Sequence, residues 1–467
     1  MMSSRLDPLT IFNFLPRTNC KDCGEATCLA FASKLLSRDR QLEECPPMLK
    51  PEYREPYEQL KDRLLPPVRE VRVGTGPRQV LLGGEEVMMR HQLSYFNPTA
   101  IAVDVVDTLD HAVLKERVTE ISSLSVERIG KTITLDMVAV RSASGDPKTF
   151  AKAVTVVKSC TDLPLMLCSY DPEVLAAGLA ETSADRPLLY AATKDNWKEV
   201  VQLALENNAP LVVSAPADLD GLVSLAGTLF DAGLMDLVLD PGTFYGKGFL
   251  GGLTLKSLVQ LRQKAILDQD KSIGFPLMTV PLQVFRSEKD PIRAAMLESL
   301  TTDLLVGQYA DLVVLHGLDI WELLPVLAFR QAIYSDPRIH AAVDPGLREF
   351  FNPEPESPVL VTTNFALTYY TVEADITNFK VPCRLLVVDT EGLGVEAGVA
   401  GGQLTAEKIK ELMDEVKIEE KVSPETHTII LPGLAARLSG ELEILSDWQV
   451  IVGPKDSADM QKVLPTA

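Results

Sequence analysis

Short apolar segments recur along the middle of the chain, and each is followed by a longer amphipathic stretch. Segments that are apolar throughout, rather than alternating, are typical of parallel strands covered on both faces. They lie at Ala100–Val106, Leu135–Val140, Pro164–Cys168, Pro187–Ala191, Pro210–Val213, Asp236–Leu239, Pro276–Val280 and Asp311–Leu315. Eight strand–helix units in about 235 residues predict a TIM (β/α)8 barrel, with an open doubly wound sheet as the structural alternative.

The last part of the chain has a different pattern, in which strand, helix, strand, loop, helix and two further strands follow one another. The segments are Val359–Thr362, Thr368–Ala374, Arg384–Asp389, Ala406–Val416, Thr428–Leu431 and Gln449–Val452. Alternating strands and helices indicate a second α/β domain, of Rossmann-like type.

Two proline-rich stretches divide the chain. Pro51, Pro56, Pro66 and Pro67 stand among charged residues and predict a stiff, solvated linker behind a small, mobile head. A second linker is predicted around Asn352-Pro353. The expected organisation is a small helical domain at 1–60, a linker with short strands at 61–98, the barrel at 99–335, a linker at 336–358 and the α/β domain at 359–467.

Four of the seven cysteines stand in the first tenth of the chain. Cys20, Cys23, Cys28 and Cys45 have C-x2-C-x4-C-x16-C spacing, and Pro46 follows the last of them. Four thiolates repel one another unless a cation compensates their charge, so the cluster indicates a bound metal or an oxidised pair of disulfides.

The spacing of these cysteines bears on which metal they bind. A structural zinc site commonly uses two short pairs, whereas a single pair, a lone Cys and a distant Cys-Pro favour a 4Fe-4S cluster. Zinc remains the alternative. Cys160, Cys168 and Cys383 lie in or beside apolar segments, and we expect them in the core.

Composition limits the possible partners. The 467 residues include 46% apolar ones and carry a net charge of −20, which argues against binding to nucleic acid or to an anionic membrane surface. The first residues lack an apolar signal core, and no apolar run approaches the ~18 residues of a membrane span. We therefore expect a cytoplasmic protein.

Polar residues follow several of the predicted barrel strands. They are Asp104, Asp107, Arg141, Ser169, Asp171, Thr193, Ser214, Asp240 and His316. The carboxyl ends of barrel strands carry catalytic groups in enzymes, but Asp, Ser and Thr also stand there as helix N-caps. The cap interpretation is favoured, and no barrel active site is predicted.

Each strand of the last domain runs into a turn of small residues. These turns are Thr362-Thr363-Asn364, Thr390 to Val395, Pro432-Gly433 and Gly453-Pro454. Because ligands bind at the carboxyl edge of open α/β sheets, converging turns would form a shallow platform for a large flat ligand; the alternative is that they are turns and nothing more. Gly392 to Ala397 matches G-x-G-x-x-A only weakly as a dinucleotide site, since Gly401-Gly402 interrupts the following helix.

Several longer motifs resemble those of a known family. They are Asn19-Cys20-x-x-Cys23-Gly-x-x-x-Cys28 with Cys45-Pro46, Asn97-Pro98-Thr-Ala-Ile-Ala-Val, Leu189-Tyr-Ala-Ala-Thr193, Val361-Thr-Thr-Asn-Phe-Ala-Leu-Thr-Tyr-Tyr370 and Ile430-Leu-Pro-Gly433. On these motifs nearly the whole chain resembles the large (gamma) subunit of the corrinoid iron–sulfur protein of acetyl-CoA decarbonylase/synthase. That family implies the order of a 4Fe-4S head, a TIM barrel and a corrinoid-binding domain.

The resemblance also implies the site residues. Cys20, Cys23, Cys28 and Cys45 would ligate the 4Fe-4S cluster. The corrinoid would contact Thr362, Thr368, Gly392, Leu393, Gly394, Val395 and Gly453. None of the five histidines stands in an Asp-x-His-x-x-Gly arrangement, so a cobalamin-type corrinoid would be bound base-off without a histidine ligand.

The implied function is that of a methyl carrier. Cobalt(I) would take a methyl group from a methyl-tetrahydropterin and pass it to acetyl-CoA synthase, while the cluster re-reduces cobalt(II). No catalytic side chain is predicted, because the chemistry belongs to the cofactor. The implied partners are a small (delta) subunit in a heterodimer, a methyltransferase, acetyl-CoA synthase/CO dehydrogenase, and a reductive activator or ferredoxin.

Two other functions remain open at this point. The chain could be a low-potential iron–sulfur electron-transfer subunit that binds no cobalt. It could instead be a barrel methyltransferase that acts directly on methyl-pterin and has a zinc-stabilised head. Metal content and pterin binding would distinguish the three.

Overall fold

The computed structural model describes residues 7–89, 96–129, 131–245, 252–334 and 341–462. The chain forms two compact units, and each is described here by itself. The first comprises Met1–Leu124 and Leu135–Tyr334, and the second comprises Ser125–Thr134 and Ser335–Ala467. No helix among the described residues is long and apolar enough to cross a membrane.

The first unit begins with three helices and a hairpin. They are α1 (Pro8–Phe12), α2 (Cys28–Leu36), α3 (Arg54–Leu64), β1 (Glu70–Val73) and β2 (Val80–Gly83), with 3-10 turns at Leu42–Glu44, Pro46–Leu49 and Pro51–Tyr53. The small helical domain expected at the N-terminus is therefore present.

Helix α3 lies where the proline pattern predicted a solvated linker, so that prediction is wrong for residues 54–64. Pro56 stands in the first turn of α3, where a missing N–H removes no intrahelical hydrogen bond. Leu60 is fully buried, with Tyr57 and Leu64 partly buried around it, in the apolar cluster that also holds Phe31. The helix thus forms because one of its faces completes the core of the cysteine domain.

Arg38, just beyond α2, joins this domain to the hairpin. Its guanidinium pairs with Glu86 at 2.6 Å and Glu70 at 3.0 Å, donates to the carbonyl of Gly84 at 2.8 Å, and lies 4.1 Å from the centroid of the Phe96 ring. The structure therefore has the head held against the hairpin, where the linker composition predicted a separate, mobile head.

The next segments, in chain order, form the barrel and one inserted hairpin. They are β3 (Ala100–Val106), α4 (His111–Ser123), β4 (Ser125–Arg128), β5 (Lys131–Thr134), β6 (Met137–Arg141), α5 (Pro147–Lys158), β7 (Leu165–Cys168), α6 (Pro172–Thr182), β8 (Leu188–Ala192), α7 (Trp197–Asn207), β9 (Leu211–Ser214), α8 (Leu219–Asp231), β10 (Leu237–Asp240), α9 (Gly252–Ile266), β11 (Met278–Thr279), α10 (Val284–Ser287), α11 (Pro291–Val306), β12 (Leu312–Leu315) and α12 (Ile320–Ile333). The β4–β5 hairpin belongs to the second unit.

Eight parallel strands close into the predicted barrel, in the order β10-β9-β8-β7-β6-β3-β12-β11. A parallel bridge between Leu239 and Leu277 joins the first strand of this order to the last. There the amide of Leu239 donates to the carbonyl of Pro276 at 2.8 Å. The prediction of a TIM barrel is confirmed, and closure excludes the open doubly wound sheet for this part of the chain.

The β1–β2 hairpin closes the amino-terminal end of the barrel. Val71, Val73 and Leu82 are fully buried in the cluster that fills the barrel interior. The amides of Arg69 and Gly74 donate at 2.9 Å to carbonyls just before β11 and β8. The opposite end, at the strand carboxyl termini, is the mouth.

The second unit contains an open five-stranded sheet. Its further elements are β13 (Gly346–Phe350), β14 (Val359–Thr363), α13 (Ala366–Phe379), β15 (Cys383–Val388), α14 (Val395–Gly401), α15 (Ala406–Glu415), β16 (Thr428–Leu431), α16 (Ser439–Ser446) and β17 (Gln449–Val452). The strand order is β13-β15-β14-β16-β17, in which β13 is antiparallel and the others are parallel. This confirms the Rossmann-like α/β prediction.

The elements of this unit that the sequence reading missed include the β4–β5 hairpin, β13, α14 and α16. Strand β13 lies in the stretch expected as the linker 336–358, of which residues 336–340 lie outside the described residues. It is an edge strand with Arg348 and Glu349 at its centre, so it lacks the continuous apolar run of the inner strands. Helices α14 and α16 have 7 and 8 residues, too few for a clear helical period.

The most deeply buried ion pair of the barrel is that of Arg262 and Asp311, whose side chains are 1% and 3% exposed. Asp311 accepts from Arg262 at 2.6 Å and from the Leu277 amide at 2.7 Å. Replacing Asp311 by Ala leaves a buried guanidinium without its counter-ion, which costs about 3–5 kcal/mol. We expect Asp311→Ala to lower the melting temperature of the barrel in calorimetry. Lys417→Ala is the control: Lys417 and its partner Glu420 are 70% and 72% exposed, so this substitution should leave the melting temperature unchanged.

Candidate functional site

The loop that carries the first three cysteines has an irregular backbone. Asn19 and Lys21 have φ of 49° and 67°, and Gly24 has φ of 82°. Glycine takes this left-handed conformation freely and asparagine tolerates it, but lysine adopts it at a cost. The Asn19 side chain accepts from the amide of Cys28 at 2.8 Å, which fixes the loop against the start of α2.

The fold brings the four cysteines of the N-terminal motif together. Cys28 opens α2 and is buried, Cys45 is buried between two 3-10 turns, Cys23 is partly buried and Cys20 is exposed. Burial raises the pKa of the Cys45 thiol, and the neighbouring thiols of Cys23, Cys20 and Cys28 raise it further. The thiols of Cys20, Cys23 and Cys28 therefore lie near that of Cys45, and the four free sulfurs are a candidate donor set for a thiolate-ligated group.

In the described ranges, no three Cys, His, Asp or Glu side chains are spaced to hold a single metal ion. The other three cysteines are not part of the motif. Cys168 and Cys383 are buried, and burial raises the pKa of each thiol to about 12. These two are in the core as expected, while Cys160 is only partly buried.

Arg40 lies beside the cysteine loop. Its guanidinium bonds Glu25 at 3.2 Å and Glu44 at 2.9 Å, and a Cβ added at Gly24 would lie 3.0 Å from its Nη2. The glycine next to Cys23 therefore makes room for an arginine as well as adopting a positive φ. A fixed cation thus stands next to the thiol cluster.

A cleft of ≈ 450 Å³ lies in the second unit, where β14, β16 and β17 end. The chain leaves β14 for β15 on one side and returns to β16 on the other, so the cleft is at the switch point of the sheet. Of the predicted contacts, Thr362, Thr368, Val395 and Gly453 line it. Its other lining residues are mainly apolar side chains of β14, β15, β16 and α13 and of the turns after β16 and β17.

The remaining predicted contacts, Gly392, Leu393 and Gly394, lie beside the cleft in the loop before α14. Gly392 has φ of 73°, and Gly394 is the N-cap residue of α14. A Cβ at Gly394 would lie 3.7 Å from the Thr368 hydroxyl, which places this loop next to the cleft wall.

Thr362 stands out within the cleft. It is 1% exposed, and its hydroxyl has no hydrogen-bond partner among the described residues. A buried hydroxyl without a partner costs about 1–3 kcal/mol, so such a group is commonly satisfied by a ligand or water. The cleft thus has an apolar wall and one unsatisfied polar atom on its floor.

Asn364 positions the neighbouring loop, and the sequence reading named it only as a turn residue. Its Oδ1 accepts from the amides of Thr390 at 3.0 Å and Gly392 at 3.1 Å and from the Thr390 hydroxyl at 3.0 Å. Its Nδ2 donates to Asp389 at 3.0 Å. One buried side chain therefore holds the loop from 389 to 392, and its place after two threonines at a strand end was the available signal.

The turns after β16 and β17 are in direct backbone contact. The amide of Gly433 donates to the carbonyl of Pro454 at 2.8 Å, and a Cβ at Gly433 would lie 2.8 Å from the backbone nitrogen of Lys455. Only glycine fits there. Sequence reasoning missed Lys455 and Asp456, a cation and an anion that line the otherwise mainly apolar cleft.

The barrel mouth contains two polar networks in the first unit. Asp104 is 1% exposed and accepts from His316 Nδ1 at 2.6 Å and from Arg141 at 2.8 Å. Burial opposes its ionisation, but these two partners outweigh burial and hold the pKa of Asp104 below its ordinary value. Asp240 accepts from Tyr190 at 2.9 Å and Ser214 at 3.0 Å, and burial raises its pKa.

These contacts correct the favoured cap interpretation for Asp104 and Asp240, whose carboxylates bond side chains from other strands of the barrel. The interpretation fits Asp171 better, because its carboxylate accepts from the Glu173 amide at 2.9 Å in the first turn of α6.

Comparisons with known proteins cover both units. The family model described as CO dehydrogenase/acetyl-CoA synthase delta subunit matches residues 70–464, and a model for an Fe–S cluster segment matches residues 15–47. Acetyl-CoA decarbonylase/synthase complex subunit gamma 2 of Methanosarcina thermophila is 45% identical over 453 residues, 96% of each chain. The subunit gamma of Archaeoglobus fulgidus is 44% identical over 456 residues, again 96% of each.

Among solved structures, dihydropteroate synthase from Thermus thermophilus is 18% identical to this chain. It matches with a TM-score of 0.37, over 57% of this chain and 97% of its own.

We expect Asn364→Ala to loosen the loop from 389 to 392, since each of its four hydrogen bonds is lost. The local cost is about 1–3 kcal/mol, or roughly tenfold to a hundredfold faster exchange of the Thr390 and Gly392 amides. Hydrogen exchange read by mass spectrometry checks this, with the Gly433 amide as the internal control. Unchanged exchange rates of the Thr390 and Gly392 amides would show that the loop does not depend on the Asn364 side chain.

Proposed function

Because the chain belongs to the family of acetyl-CoA decarbonylase/synthase gamma subunits, we propose that Cys20, Cys23, Cys28 and Cys45 ligate a 4Fe-4S cluster and that the C-terminal cleft binds a base-off corrinoid. The protein is then the corrinoid iron–sulfur methyl carrier of this complex. When bound, the corrinoid supplies a cobalt that accepts a methyl group from a methyl-tetrahydropterin and gives it to acetyl-CoA synthase, and the cluster supplies the electron that restores oxidised cobalt.

The observation that carries the proposal is the presence in one chain of two candidate cofactor sites with different chemistry. One is a cluster of four free thiols in an Fe–S cluster segment. The other is a mainly apolar cleft at a sheet switch point with the orphaned Thr362 hydroxyl at its floor. An electron-transfer subunit would account for the four thiols but would not explain the apolar cleft with its unpaired hydroxyl.

The cysteine loop can serve electron exchange at the protein surface. Cys20 is exposed and Cys23 partly so, whereas Cys28 and Cys45 anchor the loop in the apolar core. An external donor, a ferredoxin or a reductive activator, would therefore reach the cluster from the Cys20 side. Free thiols of this kind persist in a reducing compartment, and we propose the cytoplasm.

The cleft is suited to hold one face of a large flat ring. Thr362 offers a hydrogen bond from the floor, the loop fixed by Asn364 borders one wall, and Lys455 and Asp456 add one charge of each sign. In this unit, His427 is the one histidine among the described residues, and it stacks on Trp448 at the amino end of β16, away from the cleft.

The reaction type we propose is that of a 5-methyltetrahydropterin:corrinoid/iron–sulfur protein Co-methyltransferase, acting as a subunit. Its partners would be the delta subunit, a pterin methyltransferase and the acetyl-CoA synthase/CO dehydrogenase. The Asp104–His316 and Asp240–Tyr190 networks favour a second function, in which the barrel mouth itself binds the methyl donor. Titration of the chain with methyl-tetrahydropterin, read by calorimetry, distinguishes the two: binding lost in Asp240→Asn assigns the donor site to this barrel.

Cys45→Ser should remove most of the iron, because it deletes a thiolate ligand whose sulfur is buried beside the others. The measurement is anaerobic iron and cobalt analysis with visible and EPR spectra of protein purified with its delta partner. We expect about four iron and one cobalt in the wild type. Cys160→Ser is the matched control and should keep the iron.

Two results would contradict the cluster and corrinoid assignments. Zinc in place of iron in the wild-type protein would contradict the assignment of a 4Fe-4S cluster. Iron without cobalt, even after reconstitution with a corrinoid, would promote the electron-transfer function.

Thr368→Trp should lower the cobalt content strongly and leave the iron unchanged, because the indole fills the cleft beside Thr362. Thr377→Trp is the matched control, since Thr377 is exposed on the same helix, α13, and does not line the cleft. Equal cobalt contents in the two variants would show that the corrinoid binds elsewhere.

A further inference from the structure

The guanidinium of Arg40 joins two segments of the N-terminal cysteine motif. Its Nε donates to the carboxylate of Glu25 at 3.2 Å, and its Nη1 donates to that of Glu44 at 2.9 Å. Glu25 stands two residues after Cys23, and Glu44 directly precedes Cys45. One side chain therefore bridges the loop of the C-x2-C pair to the segment of the fourth cysteine. We call Arg40, Glu25 and Glu44 the Arg40 triad.

The backbone of Arg40 is bonded to the helix that carries the third cysteine. The amides of Asp39 and Arg40 donate to the carbonyl of Lys34, in the last turn of α2, at 2.9 Å and 3.3 Å. Helix α2 begins at Cys28. The three segments that supply the four cysteines are thus all connected through one residue.

The triad has a defined geometry. The second oxygen of Glu44, Oε1, accepts from the amide of Gln41 at 2.9 Å, so this carboxylate is held from two sides. A Cβ added at Gly24 would lie 3.0 Å from Nη2 of Arg40, which shows that the loop backbone packs directly against the guanidinium. The side chains of Glu25 and Arg40 are 19% and 35% exposed. An arginine bound by two carboxylates keeps a fixed position, unlike a solvated surface cation.

Ion pairs of this exposure contribute little to the overall stability of a domain. The triad is better explained by what it holds in place and by its charge. Cys45 follows Cys28 by 17 positions, so local backbone geometry does not set the place of its segment relative to the cysteine loop. The bridge from Glu44 through Arg40 to Glu25 does set it.

The charges of the triad bear on a redox centre in particular. A 4Fe-4S cluster bound by four thiolates is an anion, and it gains one further negative charge on reduction. Its reduction potential depends on the net charge and hydrogen bonds around it. A cation held beside the cluster favours the reduced form, whereas an anion in the same place favours the oxidised form.

We propose that Arg40 is a positioning residue of the iron–sulfur site, which joins the three cysteine segments and whose charge favours the reduced cluster. This inference rests on the proposed function, because it requires the cluster. The step concerned is the transfer of one electron from the external donor, a ferredoxin or a reductive activator, to the oxidised cluster. No bond is formed or broken in that step.

The first test is the midpoint potential of the cluster, measured by an anaerobic redox titration followed by EPR, on protein purified with its delta partner. In Arg40→Gln we expect the equilibrium constant for reduction to fall about tenfold, a shift of about 59 mV to lower potential. Glu25→Gln removes the opposite charge from the same triad and should shift the potential upward. A role in structure alone would not give shifts of opposite sign.

The second test is the rate at which a chelator removes iron from the oxidised protein. Arg40→Gln should lose iron about tenfold faster, because the bridge between the cysteine segments is broken. Arg40→Lys keeps the charge but cannot bind both carboxylates with a planar fork. This variant should keep the wild-type potential and still lose iron faster, which separates the charge from the bridge.

Arg54→Gln is the matched control. It removes the same charge from the same domain, at an exposed position at the start of α3 and outside the triad. Both the potential and the rate of iron loss should stay at their wild-type values.

The electrostatic part of the proposal is wrong if Arg40→Gln and Glu25→Gln have the wild-type potential or shift it in the same direction. Wild-type iron loss in Arg40→Gln would overturn the bridging part. An Arg40→Gln protein that holds no iron at all would support the bridge, and Arg40→Lys and Glu25→Gln then carry the test of the charge. Zinc in the wild type, or no metal, would contradict the proposed function, whereas an iron-loaded wild type with unaltered variants would contradict this inference alone.

Discussion

The first unit depends on the closure of its eight-stranded sheet. The bridge between Leu239 and Leu277 and the hydrogen bond from Leu239 to Pro276 remove the two open edges that a parallel sheet would otherwise present. Closure creates an interior that the β1–β2 hairpin fills from below. Arg38 of the cysteine domain pairs with Glu70 of that hairpin and with Glu86 just after it, which holds the cysteine domain against the hairpin. The helices that circle the barrel are held in order by the same closure.

The two candidate cofactor sites have opposite physical requirements, and each unit provides one of them. Four thiolates need a cation that compensates their charge and a rigid loop that holds them. The left-handed residues of the cysteine segment and the core around Cys28 and Cys45 provide the rigid loop. A large ring needs a broad, mainly apolar surface with few polar contacts, which turns at a sheet switch point can offer. In the proposed methyl carrier both sites would be needed, because cobalt that has been oxidised in the corrinoid would have to receive an electron from a separate group.

Several functional features were readable from the sequence because they depend on local patterns. The cysteine spacing, the eight apolar strands and the small-residue turns are each contained in short segments. The role of Asn364 was not readable in the same way, since its hydrogen bonds reach residues 26 and 28 positions further along the chain. The networks of Asp104 and Asp240 also escaped, because cap and network residues look alike until neighbouring strands are aligned. Helix α3 was missed since the prolines of this stretch were interpreted as a stiff, solvated linker, although the one proline inside the helix, Pro56, lies in its first turn.

By itself the sequence determined the fold class and the family of this protein, because apolar periodicity sets which faces must be buried and the cysteine motif sets the donor atoms. Tertiary structure decided which residues meet: Thr362 with Gly453 in the cleft, His316 with Asp104 at the mouth, and Arg40 beside the cysteine loop. It also decided what remains exposed, as for the apolar face of α11, which reads as an ordinary buried helix in sequence. The physical reason is that burial and long-range contact depend on how the chain closes upon itself, and no local pattern records that.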